Sequence, residues 1–545
     1  MAPMEDAEAP LLAGADTDDQ APPLAGVSDF RGRPVHHSTS GGWRSALFVL
    51  VLETSGSFAL FGVSANLITY LTGPLGHSNA SAAATVNAWS GTASLMPLLG
   101  AFVADSFLGR YRSIILACTL YVLGYGMITL SSTLLVWRPS SPADGSLDPS
   151  TVQVAFFYAS LGLIAIAQGA DKPCGLAFAA DQFDPDHPKE RASRSSLFNW
   201  WFFSMSVGIG VSVVVVSYIQ ENVGWGVGFG LLCAIMLCAF IVFLAGIPTY
   251  RMYTPTPGAE IPFARLARSL AVLARSSGFM KRHHQREEED EDTSSKSEMA
   301  RGVLRLVPIW VACLAYGVVY AQVMTLFNKQ GRTMDRRVFG GLELPPAALQ
   351  MLGAASVLTF VPIYDHILVP TLRWATGNPS GLTLLQRMGT GMAVSLAAVS
   401  VAALVEARRL QVACEQDLVD DPGATVPMSC AWLVPQYAMM GAADVFAMVG
   451  MQEFFYDQMP NELRSLGLAL YLGVTGIGSL ISSALISFID RVTSSGGGDS
   501  WFADNLNRAH LDYFYWLLAG ISTAELVLYL WFARSYIYNN PKRTI

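Results

Sequence analysis

The chain has 545 residues, 52% of them hydrophobic and only 14% charged, with a formal net charge of −8. So apolar a chain is not an ordinary soluble protein, and its acidic balance excludes a nucleic-acid-binding surface. Its many uncharged runs of about 18 or more residues have the length of membrane-crossing helices, and they are continuous where a β-barrel would alternate.

Residues 1–43, rich in Ala, Pro, Gly and Asp, read as a disordered cytosolic tail. The first apolar run lies behind this tail and is expected not to be a cleaved signal peptide. Six spans are expected at roughly 45–70, 85–104, 112–135, 154–179, 197–219 and 225–248, making a first bundle over 44–248. A cytosolic linker over 249–300 follows. Within it, 263–279 places Phe263, Leu266, Leu270 and Leu273 near helical spacing among Arg265, Arg268 and Arg275, as in an amphipathic surface helix. The run "REEEDEDTSS" at 286–295 reads as disordered. Six further spans at roughly 302–326, 347–370, 386–406, 431–456, 466–489 and 512–536 make a second bundle over 301–538, leaving a cytosolic tail at 539–545. The fold class is therefore an all-α membrane protein, two six-helix bundles of about twelve spans around a central cavity.

Lys and Arg give the orientation, because cytosolic loops carry them in excess. Arg110 and Arg112, then Lys189, Arg191 and Arg194, then the cluster from Arg251 to Arg286 all follow even-numbered spans. Both termini are thus expected in the cytosol. The loop after the seventh span breaks the pattern with Lys329, Arg332, Arg336 and Arg337. No CxxC or Cys/His spacing suggests a metal, and a pairing of Cys414 with Cys430 is left open. Asn79-Ala80-Ser81 matches an N-glycosylation acceptor in a loop so short that non-use is expected.

Ionisable residues inside spans are expensive and mark function by default. The first span contains "LETSGSFALFG" (52–62) with Glu53, the fourth Asp171 and Lys172, and the tenth Asp444 and Glu453. Of the last two, Asp444 has a polar contact near one helix end as its plainer role. The glycine run "GVTGIGS" (473–479) lies in an apolar span, where close helix packing is the expected use. No nucleophile–base motif or cofactor fingerprint is present, so an enzyme is not expected.

Several blocks carry a resemblance. "GAFVADSFLGRYR" (100–112) resembles the loop between the second and third helices of the major facilitator superfamily. "DKPCGLAFAADQFD" (171–184), "FNWWFFS" (198–204), "VLRLVPIWVACLAYGVVYAQ" (303–322), "LTLLQRMGTGM" (382–392) and the blocks over 432–471 resemble the proton-coupled oligopeptide transporter family in its plant nitrate/peptide branch. "GGWRSALF" and "VNAWSGTASLMPLLGAFVADSFLGR" are most like the fifth plant subfamily. The likeness spans nearly the whole chain apart from the tail and linker.

The resemblance implies the major facilitator fold and a secondary active transporter working by alternating access. The solute would be small and polar or anionic: nitrate, a di- or tripeptide, or a plant metabolite. An uncoupled facilitator or a non-transporting sensor is the alternative. No cofactor is implied beyond protons as coupling ion, and the partners are the solute and the lipid bilayer of the plasma or vacuolar membrane. Relatives carry Glu-x-x-Glu-Arg on the first helix; here the motif reads Glu53-Thr54-Ser55-Gly56-Ser57, with only the first acid kept. The resemblance pairs Glu53 with Lys172 as the proton-coupling site. It puts Asp171 beside them, where relatives carry a neutral residue. Glu453 aligns with an acid that meets the substrate amine or takes part in gating. Tyr320 stands where nitrate carriers have histidine, and a phenol of pKa about 10 supplies no cation near neutral pH. Gln322 and Asn199 join Tyr320, Glu453 and Asp171 as cavity residues. Asp105, Arg110 and Arg112 are expected to gate by pairing across helix ends.

Overall fold

The computed structural model describes residues 24, 27–36, 40–136, 151–184, 187–253, 302–338, 342–376, 382–459, 464–495 and 499–536. Helix occupies all twelve expected positions. The first span is Gly42–Ser64, resumed after a break at Ala65 and Asn66 by Leu67–Thr72. The second, Asn79–Val103, ends in a π-turn over Ala104–Leu108. Then come Arg110–Val136, Thr151–Ala180, Pro188–Asn222 and Trp225–Ala245. In the second half the seventh span is broken: Gly302–Val311 and Leu314–Tyr320 meet at 44°, and Leu326–Arg332 follows beyond them. The eighth runs Met351–Ile363, through a π-turn at Tyr364–Leu368, to Val369–Thr376. The last four are Leu384–Glu415, Val434–Gln458, Arg464–Ser494 and Leu511–Ser535.

Among the described residues nine helices are both long and apolar enough to cross a membrane, or ten with the bent pair of the seventh span. The second and tenth fall short by composition, not by length. Each has 25 residues, roughly 37 Å of helix, but spends positions on Asn87, Gln436, Asp444 and Glu453. Several of these polar groups face other helices, so low hydropathy here reports an inward face. Apolar side chains such as Leu123, Ile241, Leu358, Phe488, Val527 and Trp531 are exposed on the outside of the bundles, as a lipid-facing surface requires.

An even number of spans puts both ends of the bundle on one face. At the opposite, far face the two halves are latched. The Ala65 carbonyl, at the break in the first span, accepts from Asn328 Nδ2 at 2.9 Å and Gln350 Nε2 at 3.0 Å. Lys329 donates to Thr72. The Asn79 amide nitrogen donates to Asp504 Oδ1 at 2.9 Å, and its side chain donates to the Ala503 and Asp504 carbonyls. Deeper in, the second and eleventh spans touch backbone to backbone: a Cβ on Gly91 would lie 2.6 Å from the Gly476 carbonyl. A Cβ on Gly478 would lie equally close to Gly317. The glycine run thus serves helix packing.

These contacts account for two of the four cations in the loop after the seventh span. Lys329 is buried in the latch, and Arg336 is held by Glu343 at 2.6 Å and the Leu344 carbonyl at 2.7 Å. They are structural cations, outside the logic that orients a chain by its free positive charge.

The described part of the tail departs from the expectation of disorder. Val27 and Ser28 pair antiparallel with Tyr253 and Met252. Arg251, fully buried, binds both Glu190 oxygens at 2.7 and 3.1 Å and the Ser40 carbonyl at 2.7 Å. A buried guanidinium with every contact satisfied is strong local glue, and it fastens the tail to the ends of the fourth, fifth and sixth spans. A Cβ on Gly41, at φ +74°, would overlap this guanidinium. The expected amphipathic helix, the acidic run and the tail at 539–545 lie outside the described residues. Cys414 and Cys430 are free thiols.

Candidate functional site

Glu53 is fully buried in the first span, 1% exposed, and Lys172 Nζ of the fourth span stands 3.7 Å from its Oε2. That is an ion pair without hydrogen-bond contact, and no donor among the described residues satisfies either Glu53 oxygen. The carboxylate lies against Gly175, one turn beyond Lys172, where a Cβ would come within 1.9 Å of Oε1. Glycine at 175 is what lets an acid be buried there. Asp171, 3% exposed, joins the same cluster and also reaches Tyr121. A Cβ on Gly56 would meet Asp171 Oδ2 at 3.9 Å. The acid missing from position 56 of the first span therefore has a carboxylate from the fourth span in van der Waals reach of its place. Two carboxylates and one ammonium in a dry site carry one uncompensated negative charge when all are ionised.

The second half holds the other polar centre. A cavity of about 160 Å³ is lined by Phe61 and Val213 of the first half and by Tyr320, Met351, Tyr437, Met440 and Asp444 of the second. Among the described residues Asp444 is the one ionisable acid of its wall, and it accepts a 2.5 Å hydrogen bond from the Tyr316 hydroxyl. Around it the wall is mostly aliphatic, aromatic and methionine. Tyr320 lines this cavity as expected.

Two expected cavity placements, Glu453 and Gln322, differ from what is found. Glu453 does not line this cavity; it is half exposed and ion-paired at 3.4 Å with Arg387, which also donates to the Val445 carbonyl and lies over the Tyr364 ring. Residues 444 and 453 are nine apart, about two and a half turns, so they face opposite sides of the helix and only one can face the cavity. Gln322 is fully buried and donates to Ser482 at 2.8 Å; Ser482 also accepts from Asn87 of the second span. Gln322 thus braces, inside the second half, the serine that Asn87 of the first half also holds, and it does not line the cavity. Arg110 pairs with Asp181 at 2.5 Å across the ends of the third and fourth spans, a helix-end contact that stays within the first half. The Cys414–Cys430 pairing, left open above, is not formed.

Arg112 is exposed at the start of the third span, Asp105 lies on the π-turn before it, and Asn199 lies in the fifth span; the side chains of Asp105 and Asn199 are outside the described residues. Two buried acids escape the sequence reading, Glu406 of the ninth span, paired with Arg409 at 2.7 Å, and Glu525. Glu525 sits in "STAELVLYLWF" of the twelfth span, 7% exposed. The rule that singles out Glu53, an acid inside an apolar run, applies to it equally.

Two six-helix bundles latched at one face, with a cavity between them and buried charge beside it, define a membrane transporter that works by rocking one half against the other. The sequence model of the POT family (PTR2) matches residues 111–502. Protein NRT1/PTR FAMILY 5.10 of Arabidopsis thaliana is 49% identical over 96% of this chain and 98% of its own. Protein NRT1/PTR FAMILY 5.14 of the same plant is 47% identical over 94% and 97%. Among solved structures, an auto-inhibited POT family peptide transporter aligns with a TM-score of 0.71 at 20% identity, covering 92% of this chain and 99% of that one. The POT family transporter PepTSo aligns equally well, over 90% and 98%. At that identity the structures speak for the fold. The chain belongs to the POT family, in company with plant NRT1/PTR proteins, and is a multi-pass solute transporter, not an enzyme.

Proposed function

We propose that the protein is a proton-coupled symporter for an organic solute, with its proton site at Glu53, Asp171 and Lys172. The observation that carries this is the burial of Glu53 beside Lys172 at 3.7 Å, against the Asp171 carboxyl and with no hydrogen-bond donor among the described residues satisfying its oxygens. A carboxylate kept dry and only loosely paired is poised to exchange a proton, because protonation removes its desolvation penalty and frees the lysine. Asp171 supplies the second acid that the first span lacks at Gly56. One proton bound by this cluster makes it neutral, and that change in charge is what biases the two halves between outward-open and inward-open states.

The solute reading follows from the cavity wall. With Asp444 as the one acid and no cation lining the cavity among the described residues, an anion as small as nitrate finds no counter-charge there. A solute with an apolar body and a hydrogen-bond-donating or cationic group fits better. Taking the arginine-rich face as cytosolic, the latched far face is the outer one, and the resting form is inward-facing. Whether the membrane is plasma or vacuolar decides only whether transport enters the cytosol from outside the cell or from the vacuole.

Uptake into proteoliposomes tests the proposal, with radiolabelled nitrate, a dipeptide and an apolar amine, with and without an imposed pH gradient. The expected result is gradient-driven uptake of the amine or dipeptide that Glu53→Gln uncouples. Flux indifferent to the gradient in both wild type and Glu53→Gln would make the protein a facilitator. Binding without flux would make it a sensor.

A further inference from the structure

The twelfth span exposes Val527, Leu528 and Trp531 and buries a stripe that includes Leu518, Ser522, Glu525 and Tyr529. A carboxyl on that buried stripe needs a partner, and among the described residues it is met by backbone amides, not by a cation. Glu525 Oε1 accepts from the Tyr316 amide at 3.1 Å, and the Ala315 amide contacts the same carboxyl. These two amides lie just past the break in the seventh span. Ahead of them Ala312 bonds back to Pro308 and Cys313 tightens to Trp310, after which the helix turns by 44°. The turn leaves amides at the start of the next segment without a helical acceptor. Glu525 supplies it.

The same residue, Tyr316, reaches the cavity with its side chain. Its hydroxyl donates to Asp444 at 2.5 Å while its amide donates to Glu525. Backbone and ring of one tyrosine thus join a buried acid of the twelfth span to the acid in the cavity wall. We infer that Glu525 is a positioning residue for Asp444: by fixing the amide of Tyr316 at the bend, it sets where the phenol stands and so how the cavity carboxyl is held. The part it plays is that of an acceptor. A neutral amide oxygen at the same place serves equally, whereas an apolar side chain leaves two buried donors unsatisfied and lets the segment rotate. This inference needs Asp444 to be bonded as found and does not depend on which solute is carried.

Acid-minus-base infrared difference spectra of the purified full-length protein in nanodiscs test it. The Asp444 carboxyl band is assigned by its loss in Asp444→Asn, and the effect of losing the phenol by its displacement in Tyr316→Phe. Glu525→Leu is expected to displace the band in the direction of Tyr316→Phe and to speed hydrogen exchange at the amides of Ala315 and Tyr316. Glu525→Gln is expected to leave both at wild type. A Glu525→Leu protein that melts normally with an unmoved Asp444 band overturns the inference, because Glu525 would then only stabilise the bend. If the leucine variant does not fold, Glu525→Gln decides: an unmoved band supports the acceptor role, and a band displaced as in Tyr316→Phe refutes it. No transported substrate enters either readout, so failure here is distinct from failure of the symport reading.

Discussion

Glu406 apart, which Arg409 pairs at 2.7 Å, the acid clusters of the two halves are buried in different ways. In the first half, Glu53 and Asp171 face Lys172, and compensation is by opposite charge across the first and fourth spans. In the second half, Asp444 and Glu525 flank Tyr316, and compensation is by a phenol and two amides across the tenth, twelfth and seventh spans. An ion pair held at 3.7 Å is loose and changes net charge with one proton. A hydrogen-bonded acid is fixed in direction and discriminates by geometry. Under the symport proposal, energy coupling belongs to the first half and solute recognition to the second.

Removing the lysine is the harshest way to break this contrast. Lys172→Ala leaves two buried carboxylates with no cation, and breaking a buried pair costs about 3 kcal/mol at the low end, fitting for a lysine that is partly exposed. A thermal melt of the detergent-solubilised protein should show the loss, and Asp171→Asn in the same chain should restore much of it. No recovery in the double variant would mean that Asp171 does not share the site. Asp444→Asn probes the other half. An asparagine oxygen still accepts from Tyr316, so the fold is expected to survive while affinity for the solute falls roughly tenfold, about 1.4 kcal/mol. An unchanged KM with a lost pH response would reverse the assignment of the two halves.

The latch gives a smaller effect. Lys329→Met removes a donor between the halves, worth about 1 kcal/mol. Labelling of a cysteine placed at Asn66 by a membrane-impermeant maleimide is expected to rise several-fold as the far face opens more often. Labelling that stays at the wild-type rate would place the latch energy elsewhere. The finest test is additivity. If the acid clusters act separately on stability, Glu53→Gln and Glu525→Gln should add within about 0.5 kcal/mol in unfolding measurements. A larger coupling would join the halves into one titrating unit.

The sequence makes some of this plain and hides the rest for definite reasons. Twelve spans and the buried charges Glu53 and Lys172 are legible because an apolar run has a fixed length and a charge inside one stands out, whereas their pairing comes from the family resemblance. The roles of Glu453 and Asp444 are not. Telling them apart depends on which face of the tenth helix looks inward, and on Arg387, far away in sequence, which draws Glu453 aside. Gln322 reads as a cavity residue because its neighbours two positions away are, yet the irregular backbone from Tyr320 onward turns it toward Ser482. The order around Val27 and Arg251 escapes composition altogether. One buried guanidinium organises a segment whose own residues have little to bury.

The asparagine at the latch reaches beyond transport into biosynthesis. Asn79 has the acceptor triplet for a glycan, and the nitrogen that would carry the sugar donates instead to the Ala503 and Asp504 carbonyls. Those carbonyls belong to a part of the chain synthesised long after Asn79. A sugar attached early would stand between the halves once the second one arrived, so glycosylation and closure of the far face exclude one another. The chain must be made past an open acceptor triplet without being modified there if its two halves are ever to meet.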